Sequence, residues 1–253
     1  MPEATLITFA TALGAAIGSF LNVVAHRLPL GESLVKPRSR CPGCGLQIAS
    51  YDNVPVLSWL VLRGRCRGCG EHISVRYPAI EFAAAAVFGA IVAVRGLDSG
   101  LLLELPLAAA LIALAAIDLE HRLLPNKIVY PLAVWGVVGT ALVASADLPE
   151  HLIAGAAGFV VLLAAALAYP GGMGMGDVKL AGAMGLYLGV SLAPAMLLAL
   201  LSGSLVGVVI MVREGAAARK KAVPFGVFLA LGGIAAILAG PELVDLYRNH
   251  FLS

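Results

Sequence analysis

The chain has 253 residues, of which 60% are hydrophobic and 13% charged, and its mean hydropathy is +0.94. A soluble domain carries about 25% charged residues, so composition excludes a soluble globular protein. The formal net charge of +2 says little by itself; where the basic residues fall says more. The apolar runs are continuous rather than alternating, which excludes a membrane β-barrel. Abundant Ala, Leu, Val and Gly let helices approach closely. The expected fold is an all-α, polytopic membrane bundle of about eight transmembrane helices with a small cytoplasmic zinc-binding loop domain.

About 20 apolar residues cross a bilayer as a helix. In chain order the candidate segments are Leu6–Ala25, Pro78–Val94, Leu101–Asp118, Lys127–Ser145, His151–Tyr169, Asp177–Val190, Ala193–Val212 and Pro224–Ala239. The sixth is short, and a re-entrant sixth segment would lower the count to seven. The start, Met1-Pro2-Glu3-Ala4-Thr5, has no basic residue, so the first segment reads as a membrane helix rather than a cleavable signal. The expected organisation is a first helix over 1–26, a loop domain over 27–77 and a transmembrane domain over 78–253.

Basic residues follow the first segment at Arg27, Lys36, Arg38, Arg40, Arg63, Arg65, Arg67 and Arg76. The positive-inside rule puts this loop in the cytoplasm and the N-terminus outside. With eight spans, Arg122, Lys127, Lys179, Arg213, Arg219, Lys220 and Lys221 also fall inside. Only Arg95 and Arg248 fall outside. Both termini are then periplasmic.

The loop between Arg27 and Tyr77 carries all four cysteines, as Cys41-Pro42-Gly43-Cys44 and Cys66-Arg67-Gly68-Cys69. Two Cys-x-x-Cys pairs about 20 residues apart read as a tetrahedral zinc site. Gly43, Gly45, Gly68 and Gly70 supply the turns. Disulfides or idle thiols are the alternative, and a reducing cytoplasm disfavours disulfides. Four thiolates close the coordination sphere, so such a zinc is structural and contributes folding energy to a loop with little core. Trp59 between the pairs reads as a residue of the membrane interface.

Two carboxylates stand at segment ends. Asp118 closes an outside-to-inside segment, and Asp177 opens an inside-to-outside one, so both lie at the cytoplasmic end. Ionisable groups at membrane depth are costly and mark function. A carboxylate pair can activate water for peptide hydrolysis. Asp177 also suits a helix N-terminus, whereas Asp118 at a C-terminal end opposes the helix dipole. Gly171, Gly172, Gly174 and Gly176 let an extended peptide approach Asp177, and Leu124-Pro125-Asn126 breaks the chain after Asp118. A proton-coupled transporter also uses broken helices and buried carboxylates, but would have no use for the cysteine loop.

Further motifs complete an ordered set. They are Gly18-Ser19-Phe20-Leu21-Asn22-Val23-Val24, Arg27-Leu28-Pro29, Asn53-Val54-Pro55 with Ser58-Trp59-Leu60, Ile73-Ser74-Val75-Arg76-Tyr77-Pro78 with Glu81, Gly174-Met175-Gly176-Asp177 with Lys179-Leu180, and Pro224-Phe225-Gly226. With both cysteine pairs, Asp118 and Leu124-Pro125-Asn126, the chain resembles the bacterial type IV prepilin peptidases over nearly its whole length. The resemblance implies intramembrane aspartyl proteolysis with Asp118 and Asp177 as the catalytic pair. It implies type IV prepilins and type II secretion pseudopilins as substrates, cut after a glycine at the cytoplasmic face of the bacterial inner membrane. It further implies N-methylation of the new N-terminus with S-adenosylmethionine. Methylating members commonly read Gly-Lys-Cys where this chain has Gly64-Arg65-Cys66, and the shape of Arg differs from that of Lys. A presenilin-type peptidase shares the Gly-x-Gly-Asp motif but leaves the cysteine pairs unexplained.

The remaining polar residues have plainer expectations. Lys179 snorkels, Glu81 and Asn22 bond between helices, Asp52 and Glu120 are solvated, and His121 is interfacial. The run Lys36-Pro37-Arg38-Ser39-Arg40 meets anionic lipid rather than nucleic acid.

Overall fold

The computed structural model describes residues 3–41, 43–169, 172–215 and 223–251. Gly171 and the basic cluster Arg219, Lys220 and Lys221 lie outside the described residues, as do Met1, Pro2 and Pro42. Nine α-helices lie among the described residues: α1 Glu3–Arg27, α2 Leu57–Val61, α3 Arg76–Arg95, α4 Leu101–His121, α5 Asn126–Val143, α6 Leu148–Ala168, α7 Met175–Leu188, α8 Leu192–Glu214 and α9 Phe225–Phe251. No β-strand occurs among the described residues, only the isolated bridges Arg40 to Gln47 and Arg65 to His72. The all-α membrane fold is as composition requires.

Seven stretches are long and apolar enough to cross a membrane, and the sixth, Met175–Glu214, runs for 40 residues. A straight helix of that length would span about 60 Å, twice the hydrocarbon core. It does not run straight. A 3-10 turn at Gly189–Ser191 separates α7 from α8, and Gly189 takes a φ of 52°. Gly189 abuts Glu150 and His151 at the start of α6, and Gly240, late in α9, abuts Ser191. Gly226, early in α9, instead meets Asp118 at the end of α4. The stretch therefore turns back, and α7 and α8 are separate passes. The short segment expected near Asp177–Val190 is α7, at 14 residues.

The chain forms two compact units, residues 1–97 and 98–253. In the first, α1 and α3 pack through Gly14 and Gly18, which sit four residues apart on α1. A Cβ at Gly14 would stand 2.5 Å from the Ala84 carbonyl oxygen, and one at Gly18 would stand 2.7 Å from Glu81 Cα. Lipid offers no hydrophobic drive for helix pairing, so such close backbone contact supplies the dispersion energy. The Asn22 Nδ2 donates to the Tyr77 carbonyl at 3.0 Å, joining the same two helices. Glu81, expected to bond between helices, accepts instead from the Val56 N–H at 2.7 Å and so holds the loop. Val56 carries a φ of 61°, a strained conformation for a β-branched residue.

In the second unit α7 is enclosed: Val178, Leu180, Ala181, Ala183 and Met184 are all buried. Only Met175 of α7 is exposed, because α5, α6 and α9 surround the helix. Gly155 and Gly158 of α6 meet Gly182 and Ala181, and Gly136 of α5 meets Tyr187 and Leu186. Gly233 of α9 meets Leu111 and Met184. On α4, Leu103, Leu107, Leu111, Leu114 and Asp118 are all buried. Their spacing of three and four residues is that of one helix face, so Asp118 continues the apolar stripe on which the unit is packed.

Candidate active site

Asp118 occupies the last turn of α4 and is 5% exposed. The helix stops three residues on: Arg122 adopts the left-handed conformation and its N–H caps the Asp118 carbonyl. The N–H groups of Gly226 and Val227, at the start of α9, face the Asp118 carboxylate. They do not close a hydrogen bond to Oδ2, which is buried without a partner. A helix N-terminus favours an anion. A buried oxygen with an open position suits a water or a substrate group. Gly226 permits this approach, since a Cβ there would stand 2.9 Å from both Asp118 Oδ2 and Leu124 Cδ2.

Asp177 is the third residue of α7, which begins after Gly174. Its Oδ2 accepts the Gly174 N–H at 3.2 Å, leaving the other oxygen outside that bond. Gly176 packs on Leu124: a Cβ there would lie 2.9 Å from Leu124 Cβ. Leu124 thus lies between Gly176 beside Asp177 and Gly226 beside Asp118. The two carboxylates, 59 positions apart in the chain, interact electrostatically. Pro125 and Asn126 then begin α5.

Lys179 does more than reach toward solvent. Its Nζ donates to Asn126 Oδ1 at 3.2 Å and to the Tyr130 hydroxyl at 3.0 Å, and it lies 5.1 Å from the Tyr130 ring centroid. The last residue of Leu124-Pro125-Asn126 and the lysine of the Gly-Asp-Val-Lys run are therefore one contact. His121 lies 3.7 Å from Glu120, within ion-pair range.

The four cysteines of the first unit converge, with all their sulfurs within 4.8 Å of one another, and none is in a disulfide. The Cys41 and Cys69 sulfurs are 3.7 Å apart. Tetrahedral zinc with bonds of about 2.3 Å needs sulfurs about 3.8 Å apart, so the set fits a metal ion with no open position. N–H groups of Cys69 and then Gly68 draw the Cys66 thiol down to about 7, whereas at Cys69 the pull of the Glu71 N–H is outweighed by burial and the neighbouring sulfurs, which push that thiol up to about 12.

The two knuckles are copies of one another, offset by 25 positions. Cys41 N–H bonds to Leu46 O at 2.9 Å and Cys66 N–H to Glu71 O at 2.8 Å. Gly45 N–H bonds to Cys41 O and Gly70 N–H to Cys66 O, each at 2.9 Å. Ile48 N–H bonds to Ser39 O at 2.9 Å and Ile73 N–H to Gly64 O at 2.7 Å. Gly45 and Gly70 take φ of 70° and 75°, which glycine alone adopts without cost. Each knuckle leans on the other, Gly43 on Glu71 and Gly68 on Leu46.

Trp59 belongs inside this loop. Its indole N–H donates to the Ile73 carbonyl at 3.0 Å, and its ring covers Gly64. Gly64 needs its φ of 67°, and a Cβ would meet the indole at 2.8 Å. Neighbouring Arg65 forms the bridge to His72. Asp52, expected in solvent, is gripped by Arg67 through Nη2 at 2.6 Å and Nε at 2.9 Å. That guanidinium, lying over the Tyr51 ring, holds the Asp52 carboxyl below the usual carboxylate range.

Comparison with known proteins agrees in both units. Residues 12–95 match the Bacterial Peptidase A24 N-terminal domain, and residues 105–212 match the Type IV leader peptidase family. A prepilin leader peptidase/N-methyltransferase of Aeromonas hydrophila is 37% identical, over 93% of this chain and 91% of its own. Proteins of the same name from Burkholderia pseudomallei (strain 1026b) and Pseudomonas putida are each 37% identical. They cover 95% and 96% of this chain, and 87% and 94% of their own lengths. No solved structure matches. The chain belongs to the type IV leader peptidase family of membrane enzymes.

Proposed function

We propose that this protein removes the basic leader of type IV prepilins and type II secretion pseudopilins after a glycine, and then N-methylates the new N-terminal residue. The single observation that carries the proteolytic half is the meeting of Asp118 and Asp177 around Leu124, with Asp118 Oδ2 buried and open.

Two adjacent carboxylates cannot both ionise easily and hold one proton between them. The ionised member takes a proton from water, whose oxygen attacks the scissile carbonyl. The protonated member donates to that carbonyl oxygen. Collapse of the tetrahedral intermediate releases the leader carboxylate and a new amine, which takes up a proton. The pair titrates as a unit, so the acid and base roles belong to both. Gly174 and Gly176 give a substrate backbone room to reach Asp177, and an unwound peptide needs that room. Lys179, through Asn126 and Tyr130, holds the start of α5 against α7.

Orientation follows the basic residues. The end of α4 and the starts of α7 and α9 share one end of their unit, as a cytoplasmic active site with periplasmic termini requires. Cys41, Cys44, Cys66 and Cys69 hold a structural zinc. S-adenosylmethionine, when bound, supplies an electrophilic methyl group, and Gly64 and Arg65 belong to the methylating loop. Arg65 stands where many members have lysine and keeps the charge.

The test is intact mass of a purified type IV prepilin incubated with this protein and S-adenosylmethionine in detergent. Loss of the leader and gain of one methyl group are expected. A precursor left intact by folded protein contradicts the proteolytic reading, and cleavage without methyl gain contradicts the methylating one.

A further inference from the structure

The first unit holds one buried carboxylate that proteolysis and the cysteine set leave unused. Glu81 lies in the α1–α3 seam and is 9% exposed. It is the sixth residue of α3, about 8 Å inside the end of that span next to the loop. The helix packed against it offers no cation, since α1 has no ionisable residue between Glu3 and His26. Among the described residues its hydrogen bond comes from the Val56 N–H, and it forms no ion pair. The carboxylates of the loop are placed differently: Asp52 is gripped by Arg67, and Glu32 and Glu71 are exposed. A charge at membrane depth is costly and marks function. Holding one backbone N–H does not need it, because a neutral glutamine accepts that bond as well.

A second acceptor stands in the same seam. Asn22 Nδ2 donates to the Gly18 carbonyl at 3.3 Å and to the Tyr77 carbonyl at 3.0 Å, which fixes the orientation of the amide. Its Oδ1 is buried without a partner. Gly18, which Asn22 bonds, also abuts Glu81, so the carboxylate and the amide lie at one level of the seam. Val56, tied to that carboxylate, keeps its strained φ of 61°, and such strain gathers at functional sites. Two acceptors without a cation suit an ammonium group. We propose that Glu81, with Asn22 Oδ1 as second acceptor, receives the new N-terminal amine of the cut pilin and is the catalytic base of its methylation. The inference rests on the methylating half of the function proposed above. Leader cleavage makes that amine at the cytoplasmic face, where α3 begins. A terminal amine, with an ordinary pKa of about 7.7–8.0, is mostly ammonium at neutral pH and cannot attack. Its N–H donates to the Glu81 carboxylate, which takes one proton. The freed lone pair forms the N–C bond to the methyl carbon of S-adenosylmethionine as the C–S bond breaks, with that electron pair staying on sulfur. The proton then leaves Glu81 for water.

The test measures binding of a cut, unmethylated pilin to the full-length protein in detergent, with no methyl donor present. Pilin with a free N-terminus and pilin acetylated there are compared on wild type and on Glu81→Gln, with melting temperature and leader cleavage read on each. Wild type should bind the free amine about tenfold or more tightly than the acetylated form, the effect of a charge-assisted hydrogen bond. Glu81→Gln should lose that preference while keeping its melting temperature and leader cleavage. With donor added, the variant should methylate about tenfold or more slowly near pH 7, and the deficit should shrink toward about pH 9, where the amine sheds its own proton. Wild type without preference for the free amine, or a folded Glu81→Gln that keeps it or methylates at the wild-type rate, overturns the site while the methylating reading stands. A variant that loses melting temperature, cleavage and methylation in step overturns it too, since Glu81 then only holds the loop. No methyl transfer by wild type overturns the methylating reading and the site with it.

Discussion

The two compact units solve the same problem, holding polar chemistry in place, by opposite means. Residues 27–77 have little core, and four sulfurs and a doubled turn give them their shape. In residues 98–253 no metal cluster is found among the described residues. There the candidate site is shaped by absent side chains: Gly176, next to Asp177, and Gly226, against Asp118, let α7 and α9 close on Leu124. In one unit precision comes from four sulfurs converged as a metal set, in the other from backbone proximity that a single methyl group would spoil.

The largest effect expected from this contrast is removal of the proposed zinc. Stripping zinc with a chelator, or Cys66→Ser, should abolish hydrogen-exchange protection across residues 39–73, because metal binding of about 10 kcal/mol or more is folding energy there. Protection of α4 and α7 should persist. Loss of protection in both units together would break the comparison.

Gly226→Ala comes next. Its Cβ, 2.9 Å from Asp118 Oδ2 and Leu124 Cδ2, should slow leader cleavage about a hundredfold, since a displacement near 1 Å at reacting groups costs that much. Cleavage assays paired with melting curves check that the loss is geometric. Unchanged cleavage would show that α9 does not shape the site.

Gly18→Ala, with its Cβ 2.7 Å from Glu81 Cα, should destabilise the α1–α3 pair by about 1–3 kcal/mol as an overpacked contact. Thermal melting in detergent reads it. The smallest effect is that of Lys179→Met. Losing its bonds to Asn126 and Tyr130 should cost about 1 kcal/mol and slow cleavage a few-fold. A complete loss of cleavage would instead make Lys179 a catalytic group.

Much of this was legible in the chain. Hydropathy marks the long helices, and the alternation of basic residues puts Asp118 and Asp177 at one end before any geometry is known. The Cys-x-x-Cys spacing marks the metal set because ligand geometry is local. What escaped was non-local or silent. Gly226 acts by lacking a side chain, and only its three-dimensional neighbours reveal that. Trp59 reads as interfacial because its partner, the Ile73 carbonyl, carries no sequence signal. Lys179 reads as a snorkelling cation because Asn126 and Tyr130 lie about 50 residues earlier. The Asp52–Arg67 pair fails for the same reason, since composition cannot say which of many arginines meets a carboxylate. The copied backbone bonds of the two knuckles leave little sequence trace beyond Arg40-Cys41 and Arg65-Cys66 and the shared glycines.

The central claim is that Asp118 and Asp177 act as one proton-sharing pair. The most direct measurement is the single-turnover rate of leader cleavage for Asp118→Asn, Asp177→Asn and the double variant, each shown to be folded. The account predicts that either single change slows cleavage by about a thousandfold or more, and that the double variant is no slower, as for residues that work as a unit. A double variant slower by the product of the two single effects, or a single variant that cleaves at the wild-type rate, would contradict it.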